Sequence, residues 1–143
     1  MNVQTILAAK GGDIVTIEPN ADLAAAAKLL ATHRIGVVVI CGAGGRLSGI
    51  LSERDIVRAV AEQGAGALTL PVAQVMTRTV ATCHEDDTVA YLMERMTAGK
   101  FRHMPVLREG KLIGLVSIGD VVKQRVEAIE RETEALRDYI RTA

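Results

Sequence analysis

Two short motifs in this chain place a hydroxyl three residues before a carboxylate: Ser52 with Asp55, and Ser117 with Asp120. Each serine ends an apolar run with strand character, and a helical pattern surrounds each aspartate. A carboxylate at such a turn can cap the helix, or it can accept two hydrogen bonds from a vicinal diol such as ribose. The amide groups of the helix's first turn favour an anion such as phosphate nearby. The motifs leave two interpretations open, a helix cap alone or a binding site for a sugar phosphate.

Basic side chains near the motifs bear on which of them suits an anionic ligand. These side chains are Arg54, Lys100, Arg102 and His103. In the other half of the chain, the positions of Arg54, Arg102 and His103 are held by Gly119, Gly36 and Val37. Because a charged hydrogen bond is worth about 1.5–3 kcal/mol, we expect one cation-rich site that binds anions well and one cation-poor site. The alternative for Arg102 and His103 is a solvated strand edge.

The chain contains an internal repeat. The segment RLSGILSERDIVRAV, which begins at Arg46, aligns with KLIGLVSIGDVVKQRV, which begins at Lys111. Upstream of each copy, an apolar pattern at helical spacing follows a residue suited to an N-cap, Asp22 in the first half and Thr88 in the second. Self-similarity of this kind marks a duplicated structural unit. We therefore predict two halves of like construction.

Each half has the same predicted order of elements, β-α-β-β-α. A short extended piece precedes an amphipathic helix, and Gly-rich turns then join two strands into a hairpin that leads to a second helix. The extended pieces are 14–17 and 80–83, the hairpins are 37–41 with 47–51 and 103–107 with 112–116, and the closing helices run over 54–63 and from 120 onward.

The pattern predicts an α+β chain divided at residues 64–74, a linker that contains Pro71. Residues 1–63 form the first repeat, residues 75–126 the second, and residues 127–143 a helical extension. A unit of about 60 residues buries too little surface to be stable alone. We therefore expect the two sheets to pack face to face, with the crevice between them as the natural ligand site.

The motifs GILSERD at 49–55 and GLVSIGD at 114–120, with FRHMPVL at 101–107, resemble the CBS-domain family. The resemblance implies two tandem CBS repeats, a Bateman module, packed sheet to sheet with pseudo-two-fold symmetry and followed by a long C-terminal helix. The chain is similar to the free-standing small CBS proteins of bacteria. The resemblance further implies a non-enzymatic sensor that binds AMP, ADP, ATP or NAD(H) without a metal. A homodimer or an effector protein would receive the signal.

The family pattern builds each site from the Ser-x-x-Asp turn of one repeat and the early strands of the other, and its aspartate holds the ribose. By that pattern, the first site comprises Ser52, Arg54, Asp55, Val80, Thr82, Lys100, Arg102, His103, Met104 and Pro105. The second site comprises Ile14, Thr16, Gly36, Val37, Val38, Ser117 and Asp120. Residues that suit the walls of an adenine pocket, and equally suit a plain core, are Ile14, Val38, Met104 and Pro105. The first repeat departs from the pattern at Val39, which occupies the position of Pro105 and makes contacts carried over to that strand less secure.

The last predicted helix carries a long apolar stripe. Its members are Val122, Val126, Ile129, Leu136 and Ile140, with Thr133 at the missing step. Alternating steps of three and four residues are typical of helices that pair with another helix. The stripe can pack against the chain's own first half or against a second copy of the chain, and we predict the second copy.

Composition argues against several other functions. Basic and acidic residues number 17 each, so the chain lacks the positive field of a general nucleic-acid binder. Aromatic residues are scarce, with no tryptophan, which argues against base stacking. No apolar run approaches the roughly 20 residues that span a membrane, and the first residues do not have the pattern of a signal peptide.

The side chains suggest no catalytic set, so we do not expect an enzyme. Cys83 and His84 precede three acidic residues, but no second cysteine or histidine follows at zinc spacing. Cys41 and Cys83 are interpreted as buried thiols in a reducing compartment, which makes the cytoplasm the expected location. The alternative to a nucleotide sensor is a protein-interaction module whose clefts are vestigial and whose last helix is the working surface.

Overall fold

The computed structural model describes residues 1–11 and 13–142. Within that part of the chain there are six α-helices and five β-strands. The helices are α1 (Val3–Lys10), α2 (Leu23–His33), α3 (Glu53–Gln63), α4 (Val72–Val75), α5 (Val89–Gly99) and α6 (Ile118–Thr142). The strands are β1 (Thr16–Ile17), β2 (Val37–Cys41), β3 (Leu47–Ser52), β4 (His103–Arg108) and β5 (Lys111–Ser117).

Elements that depend on local patterns follow the sequence prediction. The hairpins β2–β3 and β4–β5 are both antiparallel. Asp22 and Thr88 cap α2 and α5, where their side chains accept hydrogen bonds from the amides of Ala25 (2.8 Å) and Tyr91 (3.1 Å). Since caps and hairpin turns are determined by residues close in sequence, these predictions required no tertiary information.

The two halves differ in their first strand, and Pro105 explains the difference. In the first half β1 pairs in parallel with β2, and the Val39 amide donates to the carbonyl of Val15 (3.4 Å). In the second half proline occupies the position of Val39, and proline has no N–H to donate. The strand predicted at 80–83 is therefore wrong as a strand, because the structure has only an isolated bridge at Cys83.

Each half has its own apolar core beneath its helices. The first core includes Leu23, Ala26, Leu30, Val38, Ile40, Leu51 and Ile56. The second includes Val89, Leu92, Met96, Met104, Val106, Val116 and Val121. Successive strand residues point to opposite faces of a sheet, so Val39 and Pro105 point away from these cores, yet both are buried. The two sheets therefore pack against each other as two related halves.

Each core is completed by a segment from elsewhere in the chain. Helix α1, which is not among the predicted elements, contributes Val3 and Ile6 to the second core. The Val3 amide donates to the carbonyl of Asp87 (2.9 Å). The segment 64–75 has the same role in the first half, where Val72 joins the core and its amide donates to the carbonyl of Ala21 (2.7 Å). The first residues of the chain are thus bound to the second half.

The motif glycines make room for these docked segments. A Cβ atom at Gly49 would lie 2.6 Å from the Sδ atom of Met76 and 2.7 Å from the carbonyl oxygen of Thr77. A Cβ atom at Gly114 would lie 2.6 Å from a terminal methyl group of Leu7. Packing therefore explains why both copies of the motif begin with glycine.

We expect Gly49→Ala to lower the free energy of unfolding by about 1–3 kcal/mol, and Gly114→Ala to lower it by less. A new methyl group at Gly49 meets a backbone carbonyl, whereas at Gly114 it meets the end of a side chain that can rotate away. Urea unfolding followed by circular dichroism measures both losses. Gly66→Ala is the control, because a Cβ atom there has nothing within 4 Å. An unchanged stability of Gly49→Ala would contradict this account.

Helix α6 continues past the body of the second half. Val121 and Gln124 are its buried residues, and the apolar stripe lies on exposed surface. The exposed fraction is 44% at Val122 and 64% at Ile140. The stripe does not cover the first half of the chain, so the alternative of packing within one chain is not observed.

Candidate ligand-binding crevice

A crevice of about 330 Å³ opens between the two halves. Its walls come from the end of α1, the chain before β1, the starts of β2 and β4, and the end of β5. The lining residues are Lys10, Asp13, Ile14, Val15, Ile35, Gly36, Val37, His103, Leu115 and Ser117. The volume lies at the low end of the range of about 300–1,000 Å³ for small-molecule sites.

Hairpin register explains why these residues meet. In β4–β5, His103 pairs with Ser117, and in β2–β3, Val37 pairs with Ser52. The start of each hairpin therefore lies beside the serine of its own repeat. Because the two sheets pack face to face, the start of β2 reaches the end of β5. The first half supplies mainly apolar side chains to the crevice, and the second half supplies His103 and Ser117.

Both Ser-x-x-Asp turns form reciprocal helix caps. The Ser117 amide donates to Oδ2 of Asp120 (2.9 Å), and the Asp120 amide donates to Oγ of Ser117 (3.2 Å). Ser52 and Asp55 make the same two bonds, at 2.9 Å and 3.2 Å. The capping role is therefore present in both copies. These bonds hold each carboxylate through Oδ2. Oδ1 of Asp120 is thereby left able to accept from a ligand, whereas Oδ1 of Asp55 lies 3.6 Å from a guanidinium nitrogen of Arg58.

Lys10 forms an ion pair with Asp120 beside the crevice. The Nζ atom of Lys10 lies 2.7 Å from Oδ2 of Asp120 and 2.9 Å from the carbonyl oxygen of Leu115. Burial raises the pKa of the Asp120 carboxyl, but hydrogen bonds from Lys10 and Ser117 and the Lys10 charge outweigh burial and leave that pKa below its ordinary value. Asp120 is therefore ionised at neutral pH and accepts hydrogen bonds as a carboxylate.

His103 is half-buried on the crevice wall. Burial lowers the pKa of its imidazole, and the positive charge of Lys10 lowers it further; Asp120 opposes the shift, and Arg102 adds to it. Neutral imidazole is therefore the main form at pH 7. A bound anion would favour the protonated form, because an opposite charge nearby stabilises imidazolium.

The structure brings most of the predicted second-site residues together. Those that line the crevice are Ile14, Gly36, Val37 and Ser117. Asp120 adjoins them through its contact with Lys10. Thr16 is exposed on β1, and Val38 is fully buried in the first core. The side chain of Val38 therefore packs in the core and not on the crevice wall.

The crevice that contains most of the predicted second-site residues has basic side chains on its walls, whereas the sequence predicts a second site that is poor in cations. Lys10 and His103 both line this crevice. His103 is in the set predicted for the first site, but it pairs with Ser117 in β4–β5 and lies on the wall of this crevice. Gly36 and Val37 predict a difference in charge between the two sites. The cations of this crevice lie on α1 and β4, not on the segment that contains those two residues.

The remaining first-site residues are distributed around the other strand-to-helix turn and the start of β4. Ser52, Arg54 and Asp55 lie at the turn between β3 and α3; Val80 and Thr82 lie in extended chain and are half-buried; Lys100 and Arg102 are exposed; Met104 and Pro105 are buried. The Met104 side chain belongs to the second core. Of the described residues that line the crevice, His103 is the sole member of this set.

Five of the described lining residues were not predicted: Lys10, Asp13, Val15, Ile35 and Leu115. Four of them lie one or two residues from predicted positions, so wider margins around the strands would have included them. Lys10 is different, because it reaches the crevice only through the docking of α1 on the second half. A single basic residue in a segment with no assigned structure carried no signal of this role.

Comparison with known proteins shows the family of this chain. The sequence profile of the family described as CBS domain matches residues 10–62 and again residues 72–127. The chain belongs to the CBS-domain family. The two matches correspond to the two halves of the fold, so the crevice lies between the repeats of a CBS pair.

Solved CBS structures share this fold. A CBS-domain-containing protein of Agrobacterium tumefaciens is 48% identical, with a TM-score of 0.82 over 87% of this chain and 92% of that one. A CBS domain protein of Pyrobaculum aerophilum, complexed with AMP, is 28% identical, with a TM-score of 0.79 over 93% and 99% of the two chains. The CBS domain pair of protein MJ0100, in complex with 5′-methylthioadenosine and S-adenosyl-L-methionine, is 27% identical, with a TM-score of 0.79 over 90% and 98%.

Curated relatives of this CBS pair are longer than the matched region. An uncharacterised protein of Acidianus ambivalens is 35% identical over 77% of this chain, which spans 66% of that protein. A mitochondrial CBS-domain-containing protein of Arabidopsis thaliana is 34% identical over 80% of this chain, which spans 58% of that protein. The chain therefore corresponds to only part of these two relatives.

Three further features bear on the chemistry of the CBS pair: metal-ligating side chains, thiols and membrane-spanning helices. Among residues 1–11 and 13–142, no group of three metal-ligating side chains is placed to hold an ion. Cys41 and Cys83 are free thiols. Burial, with the nearby charge of Asp87, raises the pKa of Cys83 to about 12 although Arg95 opposes the shift, so this thiol is a poor nucleophile. In the same described ranges, no helix is long and apolar enough to cross a membrane.

Proposed function

We propose that this CBS pair is a regulatory module that binds an adenine nucleotide in the crevice between its repeats. The observation that carries the proposal is the position of Asp120, whose ionised carboxylate is fixed by Ser117 at the edge of the crevice. A vicinal diol binds well to such an acceptor because both hydrogen bonds are charge-assisted. The AMP complex of the Pyrobaculum aerophilum relative supports an adenine nucleotide as the ligand.

In the proposed complex, the ribose hydroxyls donate to Asp120. The adenine packs on apolar wall residues of the first half, Ile14, Ile35 and Val37. The phosphate lies near Lys10 and His103, the cations of the crevice. AMP, ADP, ATP and NAD(H) all carry these three parts. No metal is needed in this scheme, because protein cations supply the charge that offsets the phosphate.

A second nucleotide site, related to the first by the internal repeat, is part of the proposal. It uses Ser52 and Asp55, which form the same reciprocal cap as Ser117 and Asp120. Arg54 is its proposed phosphate-binding cation, and Val80, Thr82 and Pro105 of the predicted set are its proposed wall residues. Arg102 lies instead at the Ser117 turn, where its carbonyl oxygen accepts from the Ile118 amide (2.7 Å). Because the cations of the two sites differ in type and origin, we expect the sites to differ in affinity.

Signal output is proposed to pass through a homodimer and an effector protein. The exposed stripe of α6 supports a second copy as its partner, since steps of three and four residues suit helix pairing. Charge distribution supports an antiparallel pair. Residues 127–134 carry four glutamates and one arginine, whereas residues 135–141 carry two arginines and one aspartate, so the net charge changes from negative to positive along the helix. The two free thiols support a reducing compartment, the cytoplasm, as the location.

The competing proposal is an interaction module with vestigial clefts. The exposed α6 stripe fits that role equally well. The two proposals differ in one respect, because only the nucleotide sensor gains stability from a ligand.

A ligand panel separates the two proposals. We expect AMP, ADP, ATP or NAD(H) to raise the unfolding temperature of the full chain, with about 2.7 kcal/mol of added stability at a concentration one hundred times the dissociation constant. Differential scanning fluorimetry and isothermal titration calorimetry measure the effect, with GMP and ribose 5-phosphate as controls. No stabilisation by any adenine nucleotide would contradict nucleotide sensing and leave the interaction module.

A further inference from the structure

Lys10 already occupies the carboxylate that the proposed function assigns to the ribose. Its Nζ atom lies 2.7 Å from Oδ2 of Asp120 and also donates to the carbonyl oxygen of Leu115 at 2.9 Å. The two side chains are 36% and 23% exposed, so the pair lies at the mouth of the crevice and is partly shielded from water. Lys10 itself lines the crevice.

A ligand that uses Asp120 must therefore share the carboxylate with Lys10 or displace it. Oδ2 of Asp120 already accepts from the Ser117 amide as well as from Lys10. A diol that donates two strong hydrogen bonds to the carboxylate needs at least part of that accepting capacity. Displacement moves an ammonium group away from its counter-charge and towards the crevice, which is unfavourable unless a new anion receives it.

The described residues of the crevice offer the Lys10 ammonium no adequate counter-charge in place of Asp120. His103 lies on the crevice wall, and the positive charges of Lys10 and Arg102 both lower the pKa of its imidazole, so His103 offers Lys10 no negative charge. Asp13 is the acidic residue among the described residues that line the crevice, and it is exposed. A phosphate on the ligand supplies the missing negative charge inside the crevice.

We infer that Lys10 determines the specificity of this crevice by selecting phosphorylated adenosines over adenosine derivatives that carry no phosphate. The inference rests on the proposed function and goes beyond it, because it names one residue and the class of ligand that this residue rejects. AMP displaces Lys10 from Asp120 and receives its ammonium on the phosphate. 5′-Methylthioadenosine is uncharged and S-adenosyl-L-methionine carries a sulfonium cation, so neither offers a phosphate to Lys10.

The test compares AMP with 5′-methylthioadenosine by isothermal titration calorimetry on the full chain. We expect wild type to bind AMP at least about tenfold more tightly than 5′-methylthioadenosine, as one charged hydrogen bond allows. Lys10→Met should lower the affinity for AMP by about tenfold or more and leave the affinity for 5′-methylthioadenosine unchanged or higher. The preference for AMP is then lost. Lys10→Arg keeps the charge and should keep most of the preference. Lys28→Met, an exposed lysine on α2, is the matched control and should behave as wild type.

The outcomes separate this inference from the proposed function. If Lys10→Met binds both ligands with the wild-type preference, or weakens both equally, the specificity role of Lys10 is overturned while nucleotide binding stands. If wild type binds neither ligand, the inference about Lys10 is overturned, and the ligand panel decides whether another adenine nucleotide binds the chain. Because Lys10 is exposed at the end of a helix, we expect Lys10→Met to fold, and thermal unfolding without ligand checks this. If Lys10→Met does not fold, Lys10→Arg decides the question. This variant keeps the positive charge, so loss of the preference for AMP in it would contradict the inference.

Discussion

Replacing Asp120 with asparagine is expected to weaken AMP binding about a hundredfold. The change converts two charge-assisted hydrogen bonds from the ribose into neutral ones, which are roughly half as strong. Asparagine still accepts a hydrogen bond from the Ser117 amide, so the cap of α6 survives. Isothermal titration calorimetry with AMP measures the loss, and circular dichroism confirms the fold.

Asp22→Asn is the matched control for this prediction. Asp22 accepts a hydrogen bond from the Ala25 amide at the start of α2, and Asp120 accepts one from the Ser117 amide at the start of α6, but Asp22 is not beside the crevice. The control variant should bind AMP as wild type does. Wild-type affinity in Asp120→Asn would show that the carboxylate is a cap alone, which would overturn the assignment of the ribose site.

Leu136→Glu is expected to raise the dissociation constant of the homodimer at least about a hundredfold. Leu136 is 59% exposed in the single chain, so the variant should fold, but in a symmetric dimer the change removes two buried leucines. Burial of a leucine side chain is worth about 1.5–3 kcal/mol, and a buried glutamate adds a further penalty. Sedimentation velocity over a range of concentrations measures the shift from dimer to monomer.

The neighbouring Ala135→Glu variant is the control for Leu136→Glu. It adds the same charge to the same turn of α6, one residue away from the apolar stripe. We expect this variant to remain dimeric. A wild-type chain that sediments as a monomer, or a Leu136→Glu variant that stays dimeric, would contradict the role given to the stripe.

The predictable part of this fold is the part that local sequence controls. The hairpin around β2 and β3, the caps at Asp22 and Thr88, and the duplication of the Ser-x-x-Asp turn all depend on residues within a few positions of one another. Pairing of the two halves could be anticipated as well, because each is too small to be stable alone. Of the predicted second-site set, Ile14, Gly36, Val37 and Ser117 line one crevice, and their role in binding stays a prediction.

The parts that sequence reasoning missed depend on contacts between distant segments. Lys10 is placed by the docking of α1 on the second half, with Leu7 packed near Gly114. His103 was assigned across the repeat, although the register of its own hairpin sets it beside Ser117. The strand expected at 80–83 depends on an amide that Pro105 does not have. This last error was avoidable, because the exchange of Val39 for Pro105 is visible in the sequence.

The most direct test of the central claim is a crystal structure of the chain grown with saturating AMP. We expect AMP between the two repeats, with both ribose hydroxyls about 2.5–3.0 Å from the carboxylate oxygens of Asp120. We also expect the Nζ atom of Lys10 to have left Asp120 for the phosphate. AMP bound elsewhere, or a crevice that stays empty with Lys10 still paired to Asp120, would contradict the account.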